Sequence, residues 1–276
     1  MPENTRSDFH KLSYANEDDP LVKRLVINLI EVLSGRPKIQ KLYEEVQQMS
    51  FEGYEAWTIA LEKLSITCDA NLEQLSLLPA EGPVIVIANH PFGVVDGLLL
   101  GHLTAKIRQK FSILVNHVLC NHEARINEFL LPINFEETKE AQMMNIETKR
   151  IASEKLSQGE ALIIFPAGGV ATANSAFGKA EDLEWKRFVA KLIQKTNATV
   201  LPIYVHGRNS RLFQIASHMN TSFRLGLLLN EVRNKMGKKI KLTIGEPLNQ
   251  DKLKAFKKKQ DLIDFLRKET FQYQPK

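Results

Sequence analysis

The amino-acid sequence predicts an α/β protein, a mainly parallel central sheet flanked by helices with an N-terminal helical appendage. Three observations predict it. Three short apolar runs, at residues 84–88, 161–165 and 199–205, have the composition of buried strands. Longer charged segments with helical periodicity alternate with them, the pattern of strand–helix–strand units. Each run ends abruptly, at Asn89-His90-Pro91, at Pro166 with Gly168-Gly169, and at His206-Gly207.

Composition sets the bounds. The 276 residues are 43% hydrophobic and 25% charged, ordinary for a globular protein. We divide them into a tail with helices over 1–70 and an α/β domain over 71–276. Cys68 and Cys120 form no disulfide framework and no C-x-x-C, which fits a reducing cytosol. The formal charge of +5 suits contact with anionic lipid. Basic residues are not interleaved with aromatics, so nucleic acid is not an expected partner. The first twenty residues do not read as a signal peptide, and no run of about 18 apolar residues predicts a membrane span.

Residues 1–19 are polar and expected to be loose. Pro20 opens a helix over 21–34, closed by Gly35 with Pro37 beyond. That helix either packs on the core or lies on a bilayer, with Lys23 and Arg24 near its start. Helices are expected over 39–48 and 54–64, with Phe51 and Trp57 nearby as core anchors or interfacial aromatics. A short strand at 66–68 and a leucine-rich stretch lead through a turn at 79–83 to the first buried strand. A helix then runs to about residue 110, and a strand covers 113–115. His117, Cys120 and His122 are spaced like zinc ligands, but no further ligand is evident, so no metal is expected. A charged helix over 137–157 precedes the strand at 161–165. Thr172, Asn174 and Ser175 continue a polar loop, and a helix covers 185–195. After the strand at 199–205 come helices over 213–219 and 223–232. Leu225, Leu227, Leu228 and Leu229 line either core or an acyl tunnel. A last strand at 241–244 is followed by one basic amphipathic helix over 251–271, carrying Lys252, Lys254, Lys257, Lys258 and Lys259 on a solvated or membrane-facing side.

The chemistry concentrates in the loop after the first strand. Pro91 holds His90 extended at the strand's end, and Gly93 permits a tight turn. Asp96 falls at a helix start, where free N–H groups favour negative charge. An imidazole takes up a proton near neutral pH, and a carboxylate on its far nitrogen fixes the tautomer. With no serine or cysteine between them, the expected nucleophile is a substrate hydroxyl. The plain alternative is a structural loop histidine beside a helix cap. The glycines at 168–169 either donate N–H groups to an oxyanion or merely end a strand. G-x-S-x-G, Walker and dinucleotide glycine signatures are absent.

The stretch NHPFGVVDG, residues 89–97, resembles the first motif of the lysophospholipid/glycerolipid acyltransferase superfamily, in which a His and an Asp share a short loop. It is most similar to a bacterial branch with an N-H-P-x-G-x-x-D-G signature. Phe165-Pro166-Ala167-Gly168-Gly169 resembles the superfamily's F-P-E-G block, and Val200-Leu201-Pro202-Ile203 its V-x-P-[IV] block. The three fall in the family's order within residues 75–248. The chain departs from the commoner pattern in three places. Five residues, not four, separate His90 from Asp96; Ala167 stands where many members have Glu; and residues 130–135 lack the Arg that many members use on the acceptor's phosphate. Arg208 and Arg211 offer a substitute able to fork onto phosphate or carboxylate, or else serve as solvated capping residues.

The resemblance implies an O-acyltransferase moving a fatty acyl group from acyl-CoA or acyl-carrier protein to a lysophospholipid or related lysolipid hydroxyl. His90 is then the base and Asp96 its orienting partner. Phe92, Gly93, Phe165, Pro166, Gly168, Gly169, Arg208 and Arg211 are the expected substrate contacts. The residues by themselves argue only for base catalysis by a His–carboxylate pair. No metal or bound organic cofactor is expected, and the expected place is cytoplasmic, peripheral on the inner face of the membrane. A lipid esterase or thioesterase using water, or a non-catalytic lipid-binding protein, are the rival readings.

Overall fold

The structure, a computed structural model, describes residues 35–120, 124–173, 175, 178–219 and 221–275, together with residues 21 and 25. Helix α1 (Arg36–Gln47) and helix α2 (Ala56–Lys63) precede the sheet, α2 being entered through a 3₁₀ turn at Gly53–Glu55. Next come β1 (Thr67–Ala70), β2 (Val84–Ala88), α3 (Val94–Ala105), β3 (Phe111–Asn116), β4 (Leu130–Ile133), α4 (Lys139–Ser157) and β5 (Ala161–Ile164). The chain continues with β6 (Thr172–Ala173), β7 (Ala180–Glu181), α5 (Phe188–Thr196), β8 (Thr199–Val205), α6 (Arg211–Met219) and α7 (Thr221–Lys235). It closes with β9 (Lys239–Ile244), α8 (Gln250–Leu253) and α9 (Lys259–Phe271).

Seven strands form one sheet in the order β1-β9-β8-β2-β5-β3-β4, and β6 pairs with β7 in a separate hairpin. Every pairing in the large sheet is parallel except β8 with β9. The sheet is therefore mainly parallel, as the apolar runs predict. Strand β2 lies near its middle, with Ile85 registered on Leu162 of β5 and on Val200 of β8. Its side chains alternate between two cores: Val84, Val86 and Ala88 belong to one, Ile85 and Ile87 to the other. A strand covered on both faces has no solvent side, and its sequence reads as an unbroken apolar run.

The first core is closed by α2, α3 and α7, with Trp57 packed where α2 meets α3. Gly101 permits that approach, since a Cβ there would lie 2.5 Å from the Trp57 ring. The second core is closed by α4, α5 and α9.

Four expectations are corrected or fall outside. Residues 130–133, which in the sequence mark only a motif segment, form β4. Pro132 is tolerated because β4 is an edge strand, where one missing N–H costs no ladder bond. The polar loop after β5 contains the β6–β7 hairpin. The single C-terminal helix over 251–271 is two, α8 and α9, broken where Phe256 turns inward to stack on Phe265 at 4.7 Å. Lysines crowd the break, and like charges three or four apart oppose a continuous helix there. The helix expected over 21–34 lies outside the described residues apart from Leu21 and Leu25. Among the described residues no helix is long and apolar enough to cross a membrane.

Candidate functional site

Strand β2 is buried along its length and ends at Ala88, so the residues that follow project from the carboxyl edge of the sheet. Open α/β sheets bind ligands at this edge. Asn89 fastens the exit: its buried side chain donates to the Val205 carbonyl (2.9 Å) and accepts from the Val205 N–H (2.7 Å). The ends of β2 and β8 are thereby tied. The His90 N–H donates to Asp182 Oδ1 (3.0 Å), and the His90 carbonyl accepts from the Ala171 N–H (2.8 Å). The segment after β5 thus grips the His90 backbone on both its polar groups.

Gly93, at φ +86°, turns the chain into α3, and Asp96 is that helix's third residue. Asp96 is wholly buried. Its Oδ2 accepts from three donors: His90 Nδ1 (2.8 Å), the Phe92 N–H (2.8 Å) and the Gly93 N–H (2.9 Å). A carboxylate only accepts, so Nδ1 carries a proton, and in the neutral ring Nε2 has the lone pair. The His90 ring stacks on Phe165, with centroids 3.9 Å apart. Its side chain is 15% exposed, and Nε2 has no hydrogen-bond partner among the described residues. The arrangement is an oriented imidazole with one basic nitrogen accessible.

Asp182 and Trp185 escaped sequence reasoning. Asp182 Oδ2 accepts from Trp185 Nε1 (3.1 Å) while Oδ1 holds His90. Burial pushes the Asp182 carboxyl above the usual carboxylate range, opposed by these two donors and by the nearby imidazole. No motif flags Asp182, because it acts across 92 residues of chain. Asn89 adjoins His90 in the sequence, yet only the sheet order reveals its partner on β8.

The remaining expected residues divide. Phe165 lies against the imidazole. The Gly168 N–H donates to the Phe165 carbonyl (2.9 Å), so it is committed to the turn; the Gly169 N–H has no partner among the described residues. The Pro166 carbonyl accepts from the Lys186 N–H (2.9 Å), tying this turn to the start of α5. Ala167 is buried in the second core, an apolar surrounding that would strand a glutamate's charge. Phe92 points inward rather than to open space. The residue is 3% exposed, its ring under the Lys235 ammonium at 4.5 Å and against Gly207, where a Cβ would lie 2.4 Å from it. Burial pushes the Lys235 ammonium below its usual value, while Glu231, 3.6 Å away, opposes the shift.

Buried Glu231 also accepts from the Ser210 N–H (3.0 Å), and Lys235 Nζ donates to the Arg208 carbonyl (3.4 Å). The loop after β8 is thus pinned to α7. Arg208 and Arg211 are exposed on this loop and at the start of α6; the Arg208 guanidinium has no partner among the described residues.

Beside the His90 loop, an apolar cavity of about 200 Å³ is lined by Val94 and Leu98 of α3 with Leu42, Leu64, Leu229 and Val232. Leu229 therefore lines open space, whereas Leu227 and Leu228 pack with Val170 and Phe213. Burial pushes both the Cys68 and Cys120 thiols up to about 11, away from the range of an activated thiolate.

An acyltransferase family model matches residues 57–275. A lyso-glycine lipid O-acyltransferase of Phocaeicola vulgatus is 31% identical over 190 residues, covering 65% of each chain. A protein of the same name from Bacteroides thetaiotaomicron is 29% identical over 190 residues, 65% of this chain and 66% of that one. The match thus spans about 65% of the length of these curated relatives. The crystal structure of the 1-acyl-sn-glycerophosphate (LPA) acyltransferase PlsC from Thermotoga maritima aligns over 90% of this chain and 92% of its own, at 17% identity and a TM-score of 0.48.

Proposed function

This chain belongs to the acyltransferase family whose model spans residues 57–275, and on that premise we propose that it transfers a fatty acyl group from a thioester to a lysolipid hydroxyl. The observation that carries the reading is the His90–Asp96 pair, with Nδ1 fixed at 2.8 Å and Nε2 open at the sheet edge. The acceptor hydroxyl donates to Nε2 and its oxygen attacks the thioester carbonyl as the proton passes to the imidazole. Asp96 offsets the positive charge that His90 acquires. The carbonyl oxygen becomes an oxyanion, for which the Gly169 N–H, without a partner among the described residues, is a donor. Collapse of the tetrahedral species breaks the C–S bond, and the leaving thiolate takes the proton back from Nε2. Every group in this route belongs to the chain or to its substrates, so acyl-CoA or acyl-carrier protein enters as donor substrate. The cavity beside α3 suits an acyl chain, being apolar and adjacent to Gly93.

The acceptor we propose is a lysolipid with an amino-acid headgroup, of the kind named for the relatives, and not a phosphate ester. One feature supports this, the missing arginine in residues 130–135; Arg208, whose guanidinium has no partner among the described residues, is then available to the headgroup's carboxylate. Such an acceptor is met at a bilayer surface, and we place the protein there as a peripheral enzyme on the cytoplasmic side. The test is product analysis with a labelled acyl thioester and either lyso-glycine lipid or lysophosphatidic acid. The expected product is the O-acylated glycine lipid. Free fatty acid formed at the same rate without acceptor would make it a hydrolase, and preference for lysophosphatidic acid would overturn the acceptor.

A further inference from the structure

On the face of the sheet opposite α3, helices α4, α5 and α9 frame a cleft of about 480 Å³. Lys149, Arg187, Lys191, Lys195 and Lys259 line it over the Phe188 ring, and no acidic residue does. None of the five makes an ion pair among the described residues; Arg187 bonds the neutral Gln260 side chain (2.8 Å), and Lys149 lies 5.4 Å from the Phe188 centroid. Arg187, Lys191 and Lys195 are four residues apart, so they stand in one row along ~12 Å of helix. Like charges at this spacing destabilise a helix, and nothing in the cleft offsets them. On the preceding turns of α4, Met143 is 71% and Ile146 68% exposed.

We propose that this cleft receives an acidic helix of the carrier protein that delivers the acyl thioester. The inference rests on the acyl-transfer reading above and decides which donor serves it. A row of cations in a concavity with apolar residues beside it complements a helix bearing carboxylates at the same four-residue spacing. A flat bilayer does not reach the floor of a concave cleft. A free nucleotide's phosphates sit close together and are usually cradled by backbone N–H groups, whereas these cations are side chains spread over three helices. One end of the cleft is joined through the chain to the segment that holds the His90 backbone. Arg187 is five residues beyond Asp182, which holds His90, so their Cα atoms lie within ~17 Å even for extended chain. A flexible prosthetic arm carrying the thioester crosses such a distance.

The experiment compares the wild type with Lys191→Glu/Lys195→Glu and Lys191→Gln/Lys195→Gln. Affinity for acyl-carrier protein is measured by fluorescence anisotropy at two salt concentrations, and turnover with acyl-pantetheine, which has no protein part. We expect the charge reversal to weaken carrier binding ~10-fold or more, the neutral pair less, and salt to weaken the wild type. Turnover with acyl-pantetheine stays unchanged, which also reports an intact fold. Unchanged carrier affinity in the reversed variant overturns the proposal, as does a reversal that raises KM for acyl-CoA alone or releases only anionic vesicles. Binding needs no turnover, so the two readings fail separately. Charge-sensitive carrier binding by a wild type that transfers nothing would sink the acyl-transfer reading. Normal transfer from acyl-pantetheine with charge-insensitive carrier binding would sink this one.

Discussion

Asp182 sits between two N–H donors, and this arrangement makes its replacement informative. In Asp182→Asn one amide oxygen can accept from the His90 N–H, but the amide NH₂ then faces the Trp185 indole N–H, donor against donor. We predict a ~10- to 100-fold loss of transfer rate, because a small displacement of a positioned base is costly. Asp182→Asn/Trp185→Phe removes the clash and should regain part of the rate; a double variant no faster than the single one would show that the charge, and not the geometry, matters. Gly207→Ala is predicted to lower both melting temperature and transfer rate. Its φ of +125° disfavours any side chain, and the new methyl would strike Phe92 in the His90 loop. His90 and Asp96 are legible in the sequence because Pro91, Gly93 and a helix start constrain them locally. Asp182 and Asn89 act through partners on distant strands, and no local pattern records such a bond.

At the scale of elements, the crossing of α2 and α3 depends on Gly101. Gly101→Ala would press a methyl into the Trp57 ring, itself wedged against Phe111 and Phe129, and should cost about 1–3 kcal/mol in urea denaturation. The same pair of helices supplies a pH dependence. His102 of α3 meets Thr58 of α2 through Nδ1 at 2.8 Å, and burial, aided by the Lys106 charge, lowers its pKa below 6.5. A folded value below the unfolded one means that its stabilisation is complete above pH 6.5 and is lost as pH falls through the folded value. His206, lowered mainly by burial, acts in the same direction. The urea midpoint should therefore fall between about pH 7.5 and 5.5, and fall less in His102→Gln; an equal fall in both would exclude His102. Strands β2, β5 and β8 are legible because both faces are buried and their runs are apolar throughout. Strand β4 is not, since Pro132 argues against a strand unless the edge position is already known. The break between α8 and α9 depends on Phe256 reaching Phe265, a tertiary contact that periodicity within one segment does not contain.

At the scale of the whole molecule, the sheet separates two chemistries. The apolar cavity lies on one face, against α3 and α7, and the cationic cleft on the other, against α5. The His90 loop stands at the edge between them, where α3 leaves β2. In the proposed reaction the apolar cavity takes the acyl chain and the cationic cleft takes the carrier that delivers it. Net charge alone gave no such division, because +5 spread over 276 residues does not reveal where the cations gather. In the proposed mechanism His90, oriented by Asp96, takes the proton of the attacking alcohol. Its most direct measurement is transfer of labelled acyl group to lysolipid by the wild type, His90→Ala and Asp96→Asn at saturating donor, with melting temperatures recorded alongside. We predict a ~10²- to 10⁴-fold loss in His90→Ala at an unaltered melting temperature, with Asp96→Asn also impaired. Turnover in His90→Ala equal to the wild type would contradict it.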